Sequence, residues 1–575
     1  MTVSMTILLS GIVSLTMTPM LCSKFLRHDH GPHGKLYLAI ERGFKAMFDF
    51  YVRTLDMAFR HQRAVLGVFF ATIALSGVLY MLVPKGFFPQ QDIGLVSTVV
   101  EGAQDISFAE MDRLQDQVRA IVAADPDIMG IASTAPFGGQ SVNIGRIISV
   151  LKPHRERTAT ADQIIARLRP KLATVTGVRA YMQASQDIVI GARAARTQYQ
   201  YTLQDVDVHE LYEWTPKLSA EIGKLPMVRD VASDLQTGAT TATLTIDRDQ
   251  AARYGIQPQL IDDTLYDAFG QRQVGQYFTQ VNTYRIIMEV LPELQGDMRT
   301  LDKIFVKSPS SGQQVPLSTF VKVDTKPVSS LSISHQGQFP AATISFNLAP
   351  GAALGDAVKA IEDLSLTMGA PTSLKGTFQG TAQAFKESLA SQPYLIAAAI
   401  LSVYVILGML YESYIYPWAI LATVPSAGVG ALLILLVAGY DLTVIALVGV
   451  LLLIGLVKKN GIMMVDFAIN AQRSRGAEPL AAIREACHMR FRPIMMTSFA
   501  ALLGGLPLMF SMGAGSEMRR PLGFAMVGGL LVSQILTLYT TPVVYLYLER
   551  FRTRKERRAA PAGQPMGLPQ QHPAE

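Results

Sequence analysis

Seven long apolar runs interrupted by one large polar stretch constrain this chain more than any other feature. A spanning helix needs about 20 mostly apolar residues. Val3–Phe25, Ala64–Val83, Tyr394–Leu410, Trp418–Gly439, Leu442–Ala471, Pro493–Met512 and Leu522–Leu548 qualify, the third by continuing into the interfacial aromatics of Tyr411–Tyr416. Residues 84–393, between the second and third runs, contain none. Only 17% of the 575 residues are charged, against about 25% in a soluble domain, and 49% are hydrophobic. A simple soluble enzyme and a disordered chain are both excluded. The net charge of +6 is modest, and no nucleic-acid partner is expected from it. Two cysteines, Cys22 and Cys487, exclude a disulfide scaffold.

Orientation follows from basic residues in short loops. Lys24, Arg27, Lys35, Arg42, Lys45, Arg53, Arg60 and Arg63 share a side with Arg473, Arg475, Arg484, Arg490 and Arg492 and with the Arg-rich tail, if seven helices alternate. That side is the cytoplasm, and the insert lies opposite. Val3–Phe25 lacks a basic n-region and reads as a span, not a signal peptide. Its abrupt apolar start suggests a truncated or split product. In residues 35–60, Leu36, Ile40, Phe44, Phe48, Tyr51, Leu55 and Phe59 recur at steps of three and four, an amphipathic helix on the cytoplasmic surface.

The insert alternates strand-like and helix-like runs. LVSTVV, SFAEMDRLQDQVRAIVAA and IMGIAST are followed by three more such units. Their spacing suggests ferredoxin-like βαβ modules. A different stretch between the third and fourth units, with a hairpin near Thr279–Thr283, reads as an inserted subdomain. The expected division is therefore a span (1–26), a cytoplasmic linker (27–62), a span (63–84), the insert (85–392, its subdomain about 238–325), five spans (393–549) and a disordered basic tail (550–575). The fold class is a membrane α-helical bundle with a large α+β insert. No HExxH, GxSxG, P-loop or paired-cysteine motif occurs, so no enzyme, nucleotide or metal site is expected. His154, His335, Asp247, Asp249, Asp262 and Asp263 read as surface or capping groups.

One run carries charge at depth: GVLLLIGLVKKNGIMMVDFAINAQRSRG. A helix over Thr443–Ala471 would be about 44 Å long and would hold Lys459 far from both ends. An intramembrane charge costs roughly 2.5–3.5 kcal/mol and normally faces a partner or a water path. Asp466, seven residues on, is about 10 Å away, too far to pair directly. Lys459 then needs an anion from another helix; Glu412 in a loop and Glu517 near the outer end do not supply it. The alternative is that Lys458 and Lys459 snorkel to the cytoplasmic interface, with the helix leaving the membrane near Gly461. In the next run Pro493 would start the helix. Arg490 and Arg492 either anchor its cytoplasmic end or act in transport; the Thr497 hydroxyl either links a proton or water path or bonds back to its own helix. Gly504–Gly505, Gly528–Gly529 and Ser426–Ala431 read as close helix packing.

VKKNGIMMVDFA, RFRPIMMTS, LPLMFSMGAGSEMRRPLG, PKGFFPQQD and YESYIYP resemble the resistance–nodulation–division (RND) drug/proton antiporters of Gram-negative inner membranes. FGQRQVGQYFTQVNTYRI and ARTQYQYTLQ are similar to the MdtB/MdtC type. The resemblance covers the second half of a family member. It implies a proton-driven exporter of small amphiphilic compounds with no cofactor beyond the proton gradient. It also implies periplasmic porter modules with a docking subdomain, a homo- or hetero-trimer of RND subunits, a periplasmic adaptor and an outer-membrane channel. Lys459, Arg490 and Thr497 match the family's proton relay, with Asn460 beside it. The relay's paired aspartates belong to the other half, where they would titrate as a coupled pair. The drug-pocket loop STAPFGGQSVNIGRIISVL matches weakly: Phe137, Gly138, Gly139 and Ile148 are its candidate substrate contacts, and local packing explains Phe137 equally well. A non-transporting remnant that docks with a complete partner is the alternative. A metal exporter is disfavoured, since Met463–Met464 and Met495–Met496 fall in spans.

Overall fold

The computed structural model describes residues 2–25, 34–135, 141–191, 195–238, 240–327 and 332–559. Three helices come first: α1 (Thr2–Phe25), α2 (Lys35–Arg60) and α3 (Gln62–Leu82).

The insert follows with β1 (Leu95–Gly102), α4 (Phe108–Ala123), β2 (Ile128–Thr134), β3 (Ile144–Leu151), α5 (Ala161–Leu172) and β4 (Val178–Ala184). These strands form one antiparallel sheet in the order β2-β3-β1-β4. Its helices start where caps satisfy their first N–H groups: the Ser107 hydroxyl accepts from Glu110 N at 3.3 Å, and Thr160 and Gln163 form a reciprocal capping box. Met111, Leu114, Val118, Ile164 and Leu168 pack on Val96, Val100 and Ile147 to make the module's core.

The same order recurs with β5 (Tyr199–Gln204), α6 (Val208–Ile222) and β6 (Val228–Ser233), interrupted by a subdomain of β7 (Thr240–Ile246), α7 (Arg248–Arg253), α8 (Pro258–Phe269), β8 (Arg272–Phe278), β9 (Thr283–Met288), α9 (Pro292–Gln295), β10 (Phe305–Lys307), β11 (Gln314–Pro316) and β12 (Val321–Pro327). It resumes with β13 (His335–Gln336), β14 (Phe339–Leu348), α10 (Leu354–Thr367) and β15 (Lys375–Gln379). β5 lies between β14 and β15, and β6 pairs with β14 on its other side. The interruption has its own core around Ile256, Leu317 and Phe320, and Asp247 caps α7 by accepting from Gln250 N at 3.0 Å. β8 and β9 form the hairpin expected near Thr279.

The chain closes with α11 (Thr381–Tyr411), α12 (Tyr416–Leu421), α13 (Val424–Ala438), α14 (Val444–Arg475), α15 (Pro479–Met509) and α16 (Ser516–Ala559). Among the described residues, seven helical stretches are long and apolar enough to cross a membrane. Close packing rests on glycine: a Cβ on Gly430 would lie 2.5 Å from the Gly528 carbonyl oxygen and 2.9 Å from Gly529 Cα. Side chains this small let α13 and α16 approach nearly backbone to backbone.

Three sequence expectations need correction. Pro493 does not start a helix: α15 begins at Pro479, which occupies the first turn where its missing N–H is harmless, and Pro493 lies inside. The last helix does not stop at 549 but continues to Ala559; only 560–575 of the expected tail lie outside the described residues. The apolar face of α2 is not left to lipid alone, because Tyr51 and Leu55 are buried in a core with Phe491, Leu538 and Tyr545.

The segment between α3 and β1 ties three parts together. Leu442 N donates to Pro84 O at 2.8 Å and Val444 N to Phe87 O at 3.0 Å, so the start of α14 hangs on it. Gly355 N, at the start of α10, donates to Lys85 O at 3.0 Å, and the Phe87 ring enters the second module's core. Asp92 reaches the first module, where it pairs with Arg157.

Candidate functional site

The charged helix is continuous. Thr443 caps α14 by accepting from Ala446 N at 3.2 Å, and the helix ends only at Gly476, which takes the left-handed conformation with φ +64. Lys459 sits near the middle, roughly 22–24 Å of helix from either end. Its side chain is exposed on the outer face of the bundle, Lys458 is half-buried, and among the described residues Lys459 has no ion-pair or hydrogen-bond partner. Asp466 instead accepts from Asn470 Nδ2 at 3.4 Å.

Asn460, next to Lys459, points the other way. It is 6% exposed, and its Nδ2 donates to Gln534 Oε1 at 3.0 Å and to Ser498 Oγ at 3.4 Å. The Ser498 hydroxyl donates to the same Gln534 oxygen at 2.5 Å, and Gln534 Nε2 donates to Met495 Sδ at 3.1 Å. α14, α15 and α16 therefore meet at one buried polar node. The Asn460–Ser498 contact also sets depth: Lys459 and Thr497, each one residue away, lie at the same level along their helices. Thr497 is half-buried and donates its hydroxyl to Ile494 O at 3.1 Å, the back-bonded alternative. Arg490 is two turns nearer the other end of α15, about 10 Å away. Its guanidinium lies over the Phe467 ring at 5.3 Å, and its buried Nε has no hydrogen-bond partner. The structure thus brings Lys459, Asn460 and Thr497 to one level and places Arg490 apart. Arg492 faces away and pairs with Glu41 of α2 at 2.9 Å.

Gln534 and Ser498 escaped the sequence reading. The available signal was the polar set Ser533, Gln534, Thr537, Thr540 and Thr541 within an otherwise apolar run.

In the insert, a cavity of about 1010 Å³ opens between the two modules, lined by Tyr181 and Arg179 from one and Pro216, Ala220, Asp230 and Leu235 from or beside the other. Burial, opposed by the charge of Arg179 and Arg196 and reinforced by Glu101, pushes the Tyr181 phenol above its ordinary value. Phe137, Gly138 and Gly139 lie outside the described residues. Ile148 is 40% exposed on β3, opposite Ser97 and Ala132.

The model of the AcrB/AcrD/AcrF family matches residues 1–549. The multidrug resistance protein MdtC of Serratia proteamaculans (strain 568) is 47% identical over 564 residues, 97% of this chain and 54% of that protein. MdtC of Yersinia pestis bv. Antiqua (strain Angola) is 46% identical over 561 residues, 96% of this chain and 54% of its own length. This chain spans about half the length of these relatives. The crystal structure of a heavy metal efflux pump superposes with a TM-score of 0.77 at 21% identity, covering 88% of this chain and 53% of that one, and shows the shared fold. A match along nearly the whole sequence, at this identity, means that the chain belongs to the AcrB/AcrD/AcrF family of RND transporters.

Proposed function

We propose that this chain forms one half of a proton-driven multidrug exporter of the MdtB/MdtC type in a bacterial inner membrane. The observation that carries this reading is Lys459: an ammonium group at mid-helix, exposed on the bundle's outer face and unpaired among the described residues. A charge at that depth needs an anion or water opposite, and helices outside this sequence would bring the carboxylates. Protonation of those carboxylates would release Lys459, their deprotonation towards the other side would draw it back, and the alternation would couple the proton gradient to movement. No cofactor is required.

The seven apolar helices would cross the membrane with the insert in the periplasm, as the basic loops favour. The two repeated β-α-β-β-α-β units would be ferredoxin-like porter modules, and the cavity between them would admit small amphiphilic compounds. The segment 84–87 would carry motion from the start of α14 to α10. The subdomain at 238–325 would dock to an adaptor and outer-membrane channel, in a trimer of RND subunits. Co-expression with a polypeptide supplying the other half should lower accumulation of a fluorescent amphiphile in cells. Unchanged accumulation, with both chains in the membrane, counts against the reading.

A further inference from the structure

The polar node behind Lys459 is costly to bury. Asn460, Ser498 and Gln534 are 6%, 4% and 9% exposed. In a bundle whose neighbouring contacts are Leu, Val, Met and Gly, a leucine at 534 would fill similar space without polar atoms. Buried polar groups of this kind are best attested as devices that set register. What the node fixes can be read from its geometry.

The Gln534 oxygen takes two donors, Asn460 Nδ2 at 3.0 Å and Ser498 Oγ at 2.5 Å, which uses both of its lone pairs. Gln534 is itself held on a helix with little freedom. Ser426 Oγ donates to Ser533 Oγ at 3.3 Å, and the Gly430–Gly528 contact seats α16 on α13. Successive residues of an α-helix turn by about 100°. With Asn460 pinned inward, Lys459 is turned out to the exposed face. Rotating α14 by one residue step would pull Asn460 off both partners and swing the ammonium out of its present direction. In an environment without water to replace them, both lost bonds stay unmade.

We infer that Gln534 is a positioning residue of the transport site: by holding Asn460 and Ser498 it fixes the rotational phase in which α14 presents Lys459. This rests on the transport role proposed above. The charged groups within nine residues of the node are Lys458, Lys459 and Asp466 on α14 and Arg490 and Arg492 on α15; α12 and α13 carry none, and those of α16, from Glu517 to Arg520 and from Glu549 onward, lie fourteen or more residues from Gln534. A slip in phase therefore changes chiefly how Lys459 meets its counter-charge.

The test is substrate transport against pH by this chain assembled with the other half of the pump. Gln534→Leu should lower the maximal rate about tenfold, leave the half-saturating substrate concentration unchanged, and move the pH of half-maximal rate by about one unit. A role in stability alone would lower the amount of pump without moving the pH profile. If Gln534→Leu does not accumulate, Ser498→Ala, which removes one donor from the same oxygen, should shift the profile in the same direction. A wild-type profile in the accumulating variant, with Lys459→Ala inactive, overturns this inference alone. Full activity in Lys459→Ala overturns the transport reading beneath it.

Discussion

Arg157 closes on Asp92 with two parallel hydrogen bonds of 2.6 and 2.7 Å, and its side chain is only 1% exposed. The pair joins the segment that leaves α3 to the start of α5, where Ala161 N also donates to Asp92 at 2.8 Å. Removing one member leaves the other buried and uncompensated. Arg157→Met should destabilise the first module by about 3–5 kcal/mol, read from amide hydrogen exchange across β1 and β3.

The same pair sets an acid limit. Burial alone would raise the Asp92 carboxyl, but hydrogen bonds from Arg157, Ala161 N and Gly94 N, with the Arg157 charge, outweigh it and hold the group below the usual carboxylate range. A depressed carboxyl contributes stability above the unfolded-state value of about 3.9 and loses it as pH falls through the folded value. Unfolding temperature should therefore drop below about pH 4, and the drop should be shallower in Arg157→Met. Equal slopes in the two proteins would show that Asp92 is not a source of the acid limit.

Glycines that look alike in sequence should differ in cost. Gly430→Val places a Cβ against backbone atoms of Gly528 and Gly529, which cannot step aside, and should destabilise the bundle by about 1–3 kcal/mol. Nothing lies within 4 Å of a Cβ at Gly504, so Gly504→Ala should be neutral or slightly favourable. Thermal unfolding in detergent micelles checks both.

α2 should be held by its core and not by its ion pairs. Tyr51 stacks on Phe491 at a 4.6 Å centroid distance and donates to Leu538 O at 3.2 Å. Tyr51→Ala should cost about 3–5 kcal/mol and speed tryptic cleavage within α2. Glu41→Gln breaks the exposed pair with Arg492 and should cost less than about 1 kcal/mol.

Much of this architecture is legible in the sequence because hydrophobic period and length are local signals. The apolar runs, the amphipathic Lys35–Arg60 helix and the alternating strands and helices of the insert all announce themselves this way. Helix ends were harder. Pro493 carries the usual mark of a start, but Pro479 takes that place fourteen residues earlier, because packing of Ala482, Ile483 and Ala486 extends the helix. The site was legible only in part. Lys459 stands out as a charge among apolar residues. Gln534 does not, since its partners lie 36 and 74 residues away and no spacing rule links them. Likewise, Arg490 and Thr497 share a helix seven positions apart, and only the three-dimensional contact of Asn460 with Ser498 shows that Thr497, not Arg490, lies level with Lys459.

The central claim is that Lys459 takes part in coupling protons to export. The most direct measurement is proton movement in vesicles containing the assembled pump, followed with a pH-sensitive dye as an amphiphilic substrate is added. Substrate-dependent proton flux should be present with Lys459 and fall to background in Lys459→Ala at equal protein content. Undiminished flux in Lys459→Ala would contradict the account.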